Sequence, residues 1–201
     1  LENARGTEDR CLRIAWILYC SPTPKHWSGY EGFKRDQWIP LRDFHLRSRE
    51  DTRDFLKKFT EGLAEVSKYY AAITNPKPND IFGSYCLEWL LKIHHTGNIA
   101  SFLPLLVASL FRMQRNEVDT YDFLALLQAL ECYAYRVYLH GGKRSNAGIS
   151  RFYSWGHELF RGESRLESVI ADVYNLILYY MDSSGFDEIN ETRRNWYARR
   201  S

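Results

Sequence analysis

Apolar side chains return every three or four residues through most of this chain, a spacing that predicts helices and not strands. Asp9 to Cys20 carries Leu12, Trp16 and Tyr19 on one face, with Ile14, Ile17 and Leu18 widening it, so this helix should be buried on more than one side. From Glu50 to Thr74, Phe55, Phe59, Leu63, Val66, Tyr70 and Ile73 hold the helical period while Lys57, Lys58, Glu61 and Glu65 fall opposite. Asn75-Pro-Lys-Pro ends that helix, because a residue before proline avoids the helical region. Asn79 or Asp80 is the expected cap of a third helix reaching about His95, where Gly97 stops it. Ser101 or Asn98 opens a fourth, with Pro104 tolerated in its first turn, and this one runs to about Gln114.

A further pattern begins where Asp119 stands three residues before Asp122 as an N-terminal cap. Phe123, Leu126, Leu127, Leu130, Ala134, Val137 and Tyr138 then mark one helical face, and Gly141 and Gly142 are expected to end it. Arg136 breaks the pattern by sitting beside the apolar face. After the loop KRSNAG, Ser150 to Phe160 and Glu163 to Met181 read as two more helices. The predicted fold is all-α: an irregular bundle of seven or eight helices, with a loop-rich segment after the first. Residues 1–8 read as a frayed leader, 9–181 as the helical domain with an irregular insert at 21–48, and 182–201 as a basic-aromatic tail.

Composition narrows the function classes. An apolar fraction of 45% supports a sizeable core. With 27 basic against 25 acidic residues the chain is not generally polybasic, so any nucleic-acid contact has to be local. The aromatic share, 15%, suggests aromatic layers between helices or a buried partner surface. Cys11, Cys20, Cys86 and Cys132 form no C-x-x-C pair and read as reduced, buried small hydrophobes of a cytoplasmic protein. No apolar run reaches the roughly 18 residues of a membrane span. The chain begins without methionine and ends among charges, so it is expected to be a piece of something longer.

Chemistry-bearing motifs are few. His94 and His95 are adjacent and so diverge by about 100° on a helix, which suits a helix end better than a shared metal. His157-Glu158 lacks the second histidine of a zincin. GGKRSNAG follows a helix, where capping glycines explain it better than a phosphate loop does. Lys143, Arg144 and Arg151 nevertheless surround the start of the next helix, where the dipole favours an anion. Two readings stay open there: phosphate or nucleic-acid contact, and a solvated turn. In the tail, Arg193, Arg194, Trp196 and Tyr197 interleave cations with rings. That suits a partner or single-stranded nucleic acid, or a frayed terminal helix. No catalytic residue, metal site or cofactor is expected.

Several stretches resemble, in the right order, the helical central region of the family called domain of unknown function 262, found in Gmr-type modification-dependent restriction endonucleases and related phage-defence proteins. They are DRCLRIAW (9–16) with Trp27-Ser28-Gly29, FLKKFTEGLAEVSKYY (55–70), NIASFLPLL (98–106) and ECYAYRVYLHGGKRSN (131–146) followed by Phe152-Tyr153. Glu131, Arg136, Arg144, Ser145 and Asn146 fall on motif positions of that family. Its D-G-Q-Q-R nucleotidase motif and its C-terminal nuclease domain do not occur here. The resemblance therefore implies a helical scaffold of a restriction-type defence protein, not an enzyme in its own right. It would brace a nucleotidase part and help contact DNA, weakly and without sequence preference, or a partner nuclease subunit. The competing expectations are a self-contained helical ligand-binding protein or enzyme with an aromatic pocket, and a plain homo-oligomeric scaffold, none of them involving a membrane. Glu131 and Arg136 lie five apart, about 140° off one another on a uniform α-helix, so each is expected to find its partner on another element.

Overall fold

A helix that is apolar all round has no face to give to water, so neighbours must cover every side of it. LPLLVASLFRM, residues 103–113, is such a helix: every residue except Arg112 is buried. The computed structural model describes residues 6–20, 49–78 and 81–181. Among these the fold is all-helical, with α1 Glu8–Tyr19, α2 Arg49–Thr74, α3 Gly83–His95, α4 Leu103–Met113, α5 Thr120–Tyr133, α6 Ile149–Arg161 and α7 Leu166–Tyr180. A short 3-10 turn, Ile99–Ser101, leads into α4, and a π-helical segment, Ala134–His140, extends α5. The expected all-α bundle of seven or eight helices is what forms. None of the helices described is long and apolar enough to cross a membrane.

The central helix α4 packs against α6, α2, α1 and α5. α1 lies on α2, α6 and α4, and buries Cys11, Ile14, Ala15, Trp16, Ile17 and Leu18 against them, as its wide apolar surface predicts. α5 is held between α3 and α7. The tightest joint is α4 on α6. A Cβ added at Gly156 would lie 2.8 Å from both Leu105 N and the Pro104 carbonyl carbon, so the two backbones meet where that glycine has no side chain. Phe152, Trp155 and Leu159 bury the same face of α6 on either side of this point. Two histidines act as struts between helices. His157 Nδ1 is 2.8 Å from Ile17 O, and His94 Nε2 is 2.7 Å from Ile73 O at the end of α2. A carbonyl only accepts, so in each ring the bonded nitrogen carries the proton.

Several boundaries differ from expectation. Glu8, expected in the leader, is already helical. α3 starts at Gly83 with Phe82 in the capping position and no side-chain cap, because Phe82 is buried against Phe123 (ring centroids 6.3 Å) and the start is fixed by packing. Asn79 and Asp80 lie outside the described residues, as do residues 1–5, the insert 21–48 and the tail with Arg193, Arg194, Trp196 and Tyr197. Asn98 and Ser101 belong to the 3-10 turn, and α4 proper begins at Leu103. Asp119 caps α5 as expected, accepting from Asp122 N–H at 2.7 Å. The helix does not continue uniformly to the glycines, however. It widens at Ala134, Gly141 N–H bonds Arg136 O five residues back, and only Gly142 of the two glycines takes a positive φ.

Gly156→Val should force α6 away from α4. Overpacking of this kind costs about 1–3 kcal/mol. A urea titration is expected to show a lower midpoint, and a midpoint equal to the wild type's would mean that the α4–α6 joint has slack to absorb a side chain.

Candidate anion-binding groove and the basic turn

The π segment decides the shape of the turn that follows it. A π turn closes on the fifth residue, so residues five apart come back towards one face. Tyr133 and Tyr138 illustrate this, with ring centroids 5.2 Å apart. Both hydroxyls donate to a single acceptor, the Ala147 carbonyl oxygen, at 3.1 and 2.8 Å. Ser101 Oγ donates to Ser145 O at 2.8 Å, and Lys143 N–H reaches Val137 O at 3.1 Å. Phe102 and Phe152 close the aromatic cluster, each with its centroid 4.9 Å from the next ring in contact. Gly148 then starts α6 with φ +73°, a conformation a side chain would oppose twice over, since a Cβ there would also press on the Tyr133 hydroxyl. At about 0.5–1.5 kcal/mol net for each of these hydrogen bonds, the turn is held by its own carbonyls to the core. The backbone of the turn is clamped, while the side chains of Lys143, Arg144, Ser145, Asn146 and Arg151 are exposed.

Beside the clamped turn runs a groove of about 270 Å³. α1 contributes Arg10, Arg13, Ile14 and Ile17 to its lining. Ser145, Asn146 and Tyr153 line it too, and Ser101 contributes to the lining as well. Two cations and no carboxylate line it. α4 and α6 both begin at this groove, through Leu103 and Ile149, which adds the partial positive charge of two helix starts. The Arg13 guanidinium carbon lies 5.8 Å from the centre of the Tyr153 ring. Its Nε is shut off from solvent and has no hydrogen-bond partner, a state that costs about 1–3 kcal/mol for a buried donor. Burial pushes the Tyr153 hydroxyl above its ordinary pKa, with Arg13 and Arg10 pulling the other way, so it stays a proton donor at neutral pH. A second cavity, about 240 Å³, differs in kind. Arg112 and Arg165 there face Glu117, Asp122 and Glu167, and Arg112 Nη1 pairs with Glu117 at 2.6 Å.

Of the residues singled out from the sequence, the fold brings Ser145 and Asn146 into the groove. Lys143, Arg144 and Arg151 do not line it; Arg144 precedes Ser145, and Arg151 stands two residues beyond Ile149. No ion pair among the described residues involves any of the three. The pattern reading missed Arg10 and Arg13. Three apart on α1 they share a face, which was the available signal, but nothing in the sequence said that this face meets residues 145–153.

Glu131 and Arg136 are not beside the core but in it, 0% and 3% exposed. The π segment begins between them, so their angular separation is not that of a uniform α-helix. Both have interaction partners. Cys11, Cys86 and Cys132 are buried and free, whereas Cys20, expected inside, is partly exposed. Among the described residues no group of three or more His, Cys, Asp and Glu is arranged to hold a metal ion. Comparisons with protein-family models, with curated proteins and with solved structures find no match for this chain.

Two outcomes follow for the aromatic clamp and the buried charge. Burial raises Tyr133, and pushes Tyr138 from its ordinary 10.0 up to about 12. The unfolded chain loses those protons first, so stability is intact below pH 10 and drains away as pH rises towards 12. Urea unfolding followed across that range should fall more gently for the Tyr133→Phe, Tyr138→Phe double variant, and parallel slopes would show that the clamp does not resist ionisation. Arg136→Ala leaves buried partner groups unsatisfied and should lower Tm by several degrees, on the order of 3 kcal/mol. An unchanged Tm accompanied by lost DNA binding would reassign Arg136 from structure to recognition.

Proposed function

We propose that the chain is a helical scaffold and interaction module of a bacterial restriction-type defence protein, one that contacts the DNA backbone through its basic turn. The reading carries a cytoplasmic setting, and partners in the form of a nucleotidase part or a nuclease subunit supply the turnover that this chain does not perform. The single observation behind it is the clamped turn: a rigid backbone presenting Lys143, Arg144 and Arg151 at an exposed helix start, next to a groove that holds two more arginines. Pre-organised cations of this kind suit phosphate contacts, which position a protein on a duplex without reading its sequence. The resemblance of residues 131–146 to the restriction-associated family adds to it, since Arg144, Ser145 and Asn146 stand on that turn. A formal net charge of only +2 limits the affinity, so binding should be weak and independent of sequence. The groove also favours a second reading, a ligand-binding protein, through the same arginines.

Duplex binding by the wild type and by the Lys143→Ala, Arg144→Ala, Arg151→Ala triple variant, followed against salt, tests the DNA reading. The variant should bind more weakly and lose up to three counterions' worth of salt slope, roughly 0.9 per contact on a logarithmic plot. Equal affinities and equal slopes would remove the turn from any DNA interface.

A further inference from the structure

The groove beside the turn has its own chemistry, and that chemistry is more specific than attraction to a polyanion. An arginine normally uses the edge formed by Nε and one Nη as a two-pronged donor, matched to two oxygens of one acid group. In Arg13 the Nε of this edge is enclosed and has no acceptor, and the guanidinium carbon lies 5.8 Å from the centre of the Tyr153 ring, which also lines the groove. Among the described residues no carboxylate lines the groove to serve as that acceptor. Arg10, one helical turn earlier on α1, is exposed and supplies a second positive charge. The small polar residues Ser145 and Asn146 also line the groove, on a turn whose backbone is clamped to Ser101 and Tyr138.

We propose that this groove is a binding site for a phosphomonoester group, such as the phosphate of a mononucleotide. Arg13 is the direct two-pronged ligand, Arg10 the neutralising cation at the exposed side, and the Tyr153 hydroxyl an additional donor. A dianionic monoester matches two guanidinium groups in charge, and a shift of the Arg13 side chain brings Nε, enclosed in the free protein, to its terminal oxygens. A duplex phosphodiester carries one charge and lies on a convex rod, so it suits the exposed turn better than the groove. A volume of about 270 Å³ accommodates the phosphate and part of the group attached to it. The site does not depend on the DNA reading, because none of Lys143, Arg144 and Arg151 lines it.

The test is a titration of the 201-residue chain, followed at the arginine Nε–H resonances by NMR and by thermal melting, with inorganic phosphate, AMP, adenosine and a short duplex. Phosphate and AMP should move the Arg13 Nε–H resonance and raise Tm, whereas adenosine should do neither. Arg13→Met keeps the aliphatic stem and should weaken AMP binding by roughly a hundredfold, on the order of 3 kcal/mol. Arg13→Lys, which keeps the charge without the fork, should recover only a small part of it. The Lys143→Ala, Arg144→Ala, Arg151→Ala variant should bind AMP like the wild type. An Arg13 resonance unmoved by phosphate and AMP overturns the proposal, as does AMP binding unchanged in Arg13→Met. If Arg13→Met fails to fold, the wild-type resonance decides. A duplex that moves this resonance where AMP does not also overturns the proposal, while leaving the DNA reading standing.

Discussion

The contact that the rest of the architecture depends on is the meeting of two backbones at Gly156. α4 is apolar on every side and can be stable only if covered on every side. α6 covers the first turn of α4 at backbone distance, with Pro104 and Leu105 where a side chain at 156 would be. Once that joint is made, the positions of other elements follow from it. Phe160 stacks near Phe111 at 4.4 Å, His157 reaches the α1 carbonyl at Ile17, and Phe152 enters the aromatic cluster beneath the turn. α1 therefore owes its place to α6 and α4 together, and the groove exists because α1 runs past the point where both of those helices begin.

The second organising feature is the change of helical pitch at Ala134. A uniform α-helix would set Tyr133 and Tyr138 on different sides. The wider turn gathers them, and both hydroxyls settle on one carbonyl oxygen. The aromatic cluster is thus more than apolar filling, since it holds the backbone of residues 143–148 while leaving their side chains in solvent. Buried tyrosines that keep their protons are the expected chemistry of such a clamp, because the charged form would have neither water nor a cation beside it.

Two recesses among the described residues differ in their electrostatics. One, around Arg112, sets two arginines against three carboxylates, although its Arg112 Nε is likewise enclosed without an acceptor. The other, between α1 and the clamped turn, has cations without carboxylates and a recessed donor without an acceptor. In a chain whose basic and acidic residues nearly cancel, a recess of one sign is the feature that separates a binding surface from an ordinary solvated one.

The sequence by itself determined the fold class, nearly all the helices and one cap, because these are local properties. The period of apolar residues, the carboxylate of Asp119 and the prolines after Thr74 act over a few residues each. It also marked Lys143, Arg144 and Arg151 as candidate anion-binding residues, through their placement at the start of a helix, while Ser145 and Asn146 stood out only as positions of the resembled family's motif. Three things lay beyond it. The pitch change at Ala134 follows no local signal of propensity, and the apolar period places Arg136 beside the buried face, whereas the fold buries it in the core. The capping position of α3 is taken by Phe82, because the ring gains more from burial than a polar cap would from one hydrogen bond. The pairing of Arg10 and Arg13 with residues more than 130 positions away required α1, α4 and α6 to be packed, since only tertiary contact brings the face of one helix against the loop before another.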